Sequence, residues 1–207
     1  MTKTIENLFL FLIPCSELLF IILFLVFYKK TKKEYGLWAL GSYFIADSIL
    51  NYIIIHSTPR WEPILYSFYT LFEFSCFALF LWLQIKSRLA KKVIVIASVA
   101  FTIFLVTYYS LVQFYSLDTI PIGVETILIL LFSFFYFYEQ MNDPASLFIY
   151  NKYHFWIISG IMLYLAGSLF IYIFTYQVNR NLLHQYWLLT NVFTIIRNIL
   201  ASIAILI

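Results

Sequence analysis

Seven long apolar runs occupy most of the chain, and they leave it few possible folds. They cover Glu6–Tyr28, Leu37–His56, Ile64–Gln84, Val93–Phe114, Thr119–Tyr138, His154–Thr175 and Leu183–Ile207. A helix crosses the hydrocarbon core of a bilayer with ~20 mostly apolar residues, and each run is near that length. None shows the short alternating pattern of an outer-membrane strand. The runs therefore predict an all-α, polytopic membrane bundle of seven transmembrane helices, with residues 1–207 forming a single transmembrane domain. Composition removes the soluble alternative: 63% of residues are hydrophobic and 11% charged, where a soluble domain carries about 25% charged residues. The fifth run opens with Pro121, Gly123 and Glu125. Proline is tolerated in a first helical turn, so Pro121 marks the start of that helix.

The loops set an expected orientation. Lys29, Lys30, Lys32 and Lys33 follow the first run, Lys86, Arg88, Lys91 and Lys92 follow the third, and Lys152 follows the fifth. The opposite loops hold Arg60 and Arg180 with Glu62 and Asp118, and Lys3 is the one contrary residue. Basic loops stay in the cytoplasm, so the N-terminus is expected outside and the C-terminus inside. The first run is too long for a cleavable signal peptide and carries its basic flank on the wrong side. Richness in Phe, Tyr, Ile, Lys and Asn fits an AT-rich bacterial genome, and the expected location is the bacterial cytoplasmic (inner) membrane. The net charge of +3 is the surplus of loop lysines. It predicts contact with anionic lipid and no nucleic-acid partner.

Ionisable residues inside the runs are the candidate functional residues. Arg197 sits near the middle of the last run with Asn198 beside it, and Thr190, Asn191 and Thr194 stand one or two turns earlier. An arginine at mid-bilayer costs roughly 2.5–3.5 kcal/mol on insertion scales, so it is expected to face protein and meet a partner. Glu17, Asp47, Glu73 and Glu125 are the candidates. Asp47 and Asn51 share a face of the second helix, Tyr66, Tyr69 and Glu73 share a face of the third, and Thr190, Thr194 and Arg197 share a face of the seventh. The expected buried polar centre thus contains Glu17, Asp47, Asn51, Tyr69, Glu73, Glu125, Asn191, Thr194 and Arg197. Two readings stand side by side. One is a site for a small ligand, ion or proton; the other is a buried salt bridge that fixes helix packing. Four acids against one arginine leave a surplus that must be protonated, share protons or bind a cation.

Other residues point to packing and interfaces. Cys15 and Cys76 fall inside apolar runs and read as small packing residues. His56 and His184 fall at one expected mouth, and His154 at the other; interfacial roles outweigh a haem or metal site, because spacing places no third ligand. No cofactor and no metal is expected. Trp38, Trp61, Trp82, Trp156 and Trp187 lie near run ends, as an interfacial belt requires. Gly41, Ser42 and Ala46, and Ser159, Gly160, Ala166, Gly167 and Ser168, mark close helix approaches or a dimer face.

A faint repeat links the halves. Ile13–Glu17 (IPCSE) in the first run pairs with Ile120–Glu125 (IPIGVE) in the fifth, and Ala46–Tyr52 in the second with Ala166–Tyr172 in the sixth. A parallel 3+1+3 plan would result, with chance similarity the competing explanation. The plan and the prolines Pro14 and Pro121 resemble SWEET and PQ-loop transporters, although the PQ dipeptide is missing. HExxH, GxSxG, P-loop, GxGxxG and GxGD motifs are all absent, so no enzyme is expected.

Tyr69–Phe74 (YTLFEF), the acid early in the fifth helix and Ile195–Leu200 (IIRNIL) resemble small bacterial seven-span proteins that are similar to the seven-span input regions of sensor kinases. In those kinases an output domain follows the seventh helix. The resemblance therefore implies a sensor or accessory subunit that acts through a separate signalling or complex partner protein. The alternatives are a small-solute or proton-coupled transporter using Glu73, Asp47 and Arg197, and an oligomeric pore-forming effector. The expected partners are the lipid bilayer, a signalling or complex partner protein and a second copy of the chain.

Overall fold

Each of the seven apolar runs is helical over nearly all of its described residues. The computed structural model describes residues 3–56, 61–111, 119–143, 148–175 and 180–207, with side chains for all of these except 3–7, 10, 30, 55, 62–63, 119, 171–175 and 180–187. In chain order the elements are α1 (Lys3–Val26), a single turn α2 (Tyr28–Thr31), α3 (Tyr35–His56), α4 (Glu62–Gln84), α5 (Arg88–Leu111), α6 (Thr119–Met141), a 3₁₀ turn at Ile149–Asn151, α7 (Tyr153–Thr175) and α8 (Arg180–Leu206). Every regular element among the described residues is helical.

Helix ends follow local chemistry rather than the limits of the apolar text. The fourth run suggested a start at Val93, yet α5 begins at Arg88, because the Ser87 hydroxyl lies 3.4 Å from the Ala90 N–H and caps the first turn. Pro63 lies in the first turn of α4, where its missing N–H leaves no intrahelical bond unmade. Pro121 lies in the first described turn of α6, whose described residues begin at Thr119.

Six helices are long and apolar enough to cross a membrane: Tyr35–Ile54, Ile64–Gln84, Arg88–Leu111, Ile120–Met141, Tyr153–Phe170 and Leu188–Leu206. The described apolar part of α1, Phe11–Val26, is shorter. The outward faces support a membrane setting. α5 buries Ile94, Phe101 and Leu105 along one stripe, while Val95, Ile96, Val99, Ile103 and Val106 are exposed. Water-facing surfaces rarely carry so continuous an apolar face. Polar groups lie inside instead, including Asp47, Glu73, Glu125, Arg197 and Asn198. The protein is a multi-pass, all-α membrane protein.

The helices form two compact units. One comprises Glu34–Asp143, and so holds α3 to α6; the other comprises Met1–Lys33 with Pro144–Ile207, and so holds α1, α2, α7 and α8. Within the first, α4 packs against α3, α5 and α6. It buries Phe74, Phe77, Phe80 and Leu81 almost completely, as a helix with neighbours on several sides must. Phe74 meets Phe101 of α5 at 4.3 Å between ring centroids and Phe132 of α6 at 6.4 Å. Tyr43 of α3 meets Phe77 at 4.8 Å.

Within the second unit, α8 packs against α7 and α1. The α7 face Gly160–Tyr164–Gly167 makes this possible, since these residues recur at i, i+4 and i+7. A Cβ at Gly160 would lie 3.2 Å from Leu200 Cβ and 3.3 Å from the Arg197 carbonyl, and one at Gly167 would overlap the ring of Phe193. Small residues let helix backbones approach closely where lipid supplies no hydrophobic drive.

Candidate functional site

In the four-helix unit the polar groups begin on α3. Tyr43 and Asp47 are one turn apart and both buried, at 0% and 1% exposure. The Tyr43 hydroxyl donates a 2.7 Å hydrogen bond to Oε1 of Glu73 on α4. This buried bond joins α3 to α4. The Asn51 amide donates to Oδ1 of Asp47 at 3.0 Å. Asn51 itself is exposed, so it lies over Asp47 from the outside of the unit rather than in its interior.

Glu125 enters from α6, where it is 2% exposed and Glu73 lies within its electrostatic reach. No hydrogen-bond partner among the described residues reaches its Oε1, nor the hydroxyl of the neighbouring Thr126. Tyr69, one turn before Glu73, is half-buried.

In the other unit the centre is Arg197, 3% exposed on α8. Its Nε–H donates to Oδ1 of Asn198 at 3.1 Å. Its guanidinium lies over the ring of Tyr164 on α7, 4.5 Å from the centroid. A desolvated cation–π contact of this kind contributes about 2 kcal/mol. The Asn198 amide donates to the Ser16 hydroxyl of α1 at 2.9 Å, and that hydroxyl donates to the Ile13 carbonyl at 2.7 Å. Glu17, next to Ser16, is buried. Three helices thus meet at one polar knot. Asn191 and Thr194 are half-buried near the middle of α8, before Arg197, and the Thr194 hydroxyl is turned to the Thr190 carbonyl of its own helix.

The five ionisable residues expected to be inside, Glu17, Asp47, Glu73, Glu125 and Arg197, are all buried. The structure joins Tyr43 and Glu73 in one unit, where Glu125 is also buried, and Ser16, Tyr164, Arg197 and Asn198 in the other. Tyr43, Tyr164 and Ser16 do not stand out in the sequence as site residues. The signals were present: Tyr43 precedes Asp47 by four, and Tyr164 lies between two glycines on one helical face. A tyrosine in a chain with 17 of them draws no notice by type alone.

Interfacial residues have smaller roles. Trp156 Nε1–H donates to the Tyr150 carbonyl at 2.7 Å, and Lys91 Nζ lies 4.6 Å from the Trp82 ring centre. Trp38 and Trp61 are exposed near the starts of α3 and α4. Both cysteines are free, and Cys15 is exposed on α1 rather than packed inside as its apolar neighbours suggested. The side chains of His184 and Trp187, and all of Arg60 and Asp118, lie outside the described residues. Among the described residues no group of three or more His, Cys, Asp or Glu is placed to hold a metal ion. In comparisons with known proteins, no family model, curated protein or solved structure matched the chain.

Proposed function

We propose that the protein is a sensor or accessory subunit of the bacterial cytoplasmic membrane, non-catalytic, with its N-terminus outside and its C-terminus inside. The carrying observation is the polar knot of Ser16, Tyr164, Arg197 and Asn198, which ties α1, α7 and α8 together through one buried cation. Such a contact has discrete arrangements. A ligand or proton that favours one of them shifts α8 against α1 and α7, and only its differential affinity for the arrangements drives that shift. The cytoplasmic segment 29–33, which follows α1, then presents the change to a separate partner protein, while its lysines also hold anionic lipid.

Purification from native membranes at endogenous level in gentle detergent, with mass spectrometry of what co-migrates, tests this reading. A stoichiometric partner protein is the expected result. A lone protein, monomeric or self-associated, overturns it in favour of a transporter or pore. Flux measurements on Glu73→Gln then separate those two, because transport requires an acid exposed alternately to each side.

A further inference from the structure

We propose that the outward face of α5 binds an anionic phospholipid, with Arg88 and Lys92 holding the head-group phosphate and Val95, Ile96, Val99 and Ile103 lying along an acyl chain. The face is continuous. Lys92 follows Arg88 by four residues, and the apolar residues follow Lys92 by three, four, seven and eleven, so all six fall on one stripe of the helix. All six are exposed. The buried residues of α5, Ile94, Phe101 and Leu105, form a separate stripe where the helix packs within its unit against α4 and α6.

Charge selects the head group. Lys86, Arg88, Lys91 and Lys92 cluster at this end of α5. Two of them are engaged: Lys86 Nζ pairs with Asp143 at 3.0 Å, and Lys91 Nζ lies against the ring of Trp82. The Glu139 carboxylate accepts from the backbone N–H of Lys86 at 2.9 Å and of Ser87 at 3.3 Å, which fixes the turn into α5. No carboxylate among the described residues pairs with Arg88 or Lys92. Two uncompensated cations one turn apart, at the positive end of a helix, attract an anion. Trp82, in contact with Lys91, marks the head-group level, as tryptophans at span ends do.

The apolar part selects a lipid over a free anion or a second helix. At 1.5 Å per residue, Ile103 lies roughly 16 Å below Lys92, about the depth of one leaflet of a ~30 Å core. A free phosphate makes no use of that length. Helix contacts in lipid favour small residues, as Gly160 and Gly167 show between α7 and α8, whereas this stripe is β-branched throughout. Thr102, also exposed on α5, donates its hydroxyl to the Ser98 carbonyl at 2.9 Å, so it presents no unmet polar group to an acyl chain.

The inference adds a lipid ligand in the four-helix unit to the sensor reading, and it rests on that reading only for the choice of leaflet. Photolabelling of the full-length chain in phosphatidylcholine nanodiscs tests it. The probe is a trace of phosphatidylglycerol, or of phosphatidylcholine, bearing a diazirine on an acyl chain, and labelled peptides are located by mass spectrometry. The phosphatidylglycerol probe should label residues 95–103 several-fold more than the phosphatidylcholine probe. A basic residue at a membrane surface favours an anionic head by roughly five-fold, so the two cations set an upper limit of about 25-fold. Raised salt should lower the preference. Arg88→Gln with Lys92→Gln should abolish it on α5 and leave the labelling of α1, α7 and α8 unchanged. Monodisperse elution reports folding. Should the double variant fail to fold, Lys92→Gln alone must lower the preference, and the wild-type comparison of the two probes needs no variant. Equal labelling of α5 by the two probes overturns the proposal, as does a preference that the folded variants keep. A stripe that neither probe reaches also overturns it, and would assign the face to a second protein chain. The labelling needs no partner protein, so its failure and the failure of the co-purification are separate results.

Discussion

Gly167→Ala adds one methyl group at the closest approach of α7 and α8. A Cβ at this position overlaps the Phe193 ring, with Cγ itself at 2.6 Å. Cγ is fixed one bond from Cβ, so rotating the ring does not clear it and the Phe193 rotamer or the α8 backbone must move. Overpacking of this kind typically costs about 1–3 kcal/mol. Alanine offsets part of this, because glycine within a helix is the poorer residue by roughly 0.5–1 kcal/mol. The net expectation is a loss of about 1–2 kcal/mol. Gly123 provides the control, since a Cβ there meets nothing within 4 Å. Gly123→Ala should leave stability unchanged or raise it by up to about 1 kcal/mol. Equilibrium unfolding in bicelles by steric trapping measures both. Phe193→Ala removes that Cγ, so its loss and that of Gly167→Ala should be less than additive, with a coupling of about 0.5 kcal/mol or more. If the two glycine variants are equally stable, the close α7–α8 approach is refuted. If the Gly167→Ala and Phe193→Ala losses simply add, the Phe193 side chain is not the obstacle.

Three further outcomes follow from particular contacts. Ser16→Ala and Asn198→Ala should couple by about 0.6 kcal/mol, up to roughly 1.7, in a double-mutant cycle; additive losses would mean that the 2.9 Å bond between α1 and α8 contributes nothing. Glu139→Ala removes the carboxylate that accepts from the backbone N–H of Lys86 at 2.9 Å and of Ser87 at 3.3 Å. A loss of about 1 kcal/mol is expected, comparable to losing a helix cap, with faster amide exchange confined to the start of α5. Exchange unchanged there would show that water replaces the carboxylate fully. Val99→Arg places a charge on the exposed mid-span face of α5 and should impair membrane integration by about 2.5–3.5 kcal/mol in a glycosylation-based insertion assay. Wild-type integration would mean that this face does not meet lipid.

Local composition carried much of the fold. The helical state of the apolar runs and the burial of Glu17, Asp47, Glu73, Glu125 and Arg197 were legible, because each depends on one segment and its solvent. An apolar run of bilayer length has to satisfy its backbone internally and becomes helical, and an ionisable group inside it has to turn from lipid. Helix partners were not legible. α1 joins α8 through Ser16 and Asn198, 182 residues apart, while α3 to α6 assemble among themselves. Apolar helices of similar length and composition are nearly interchangeable as packing partners in lipid. Which pairs form is decided by a few shape and hydrogen-bond matches, such as Gly167 under Phe193, Tyr164 under Arg197 and Tyr43 on Glu73. Those matches join residues distant in the chain, so the sequence by itself determined which groups are buried, and only the tertiary structure decided which of them meet.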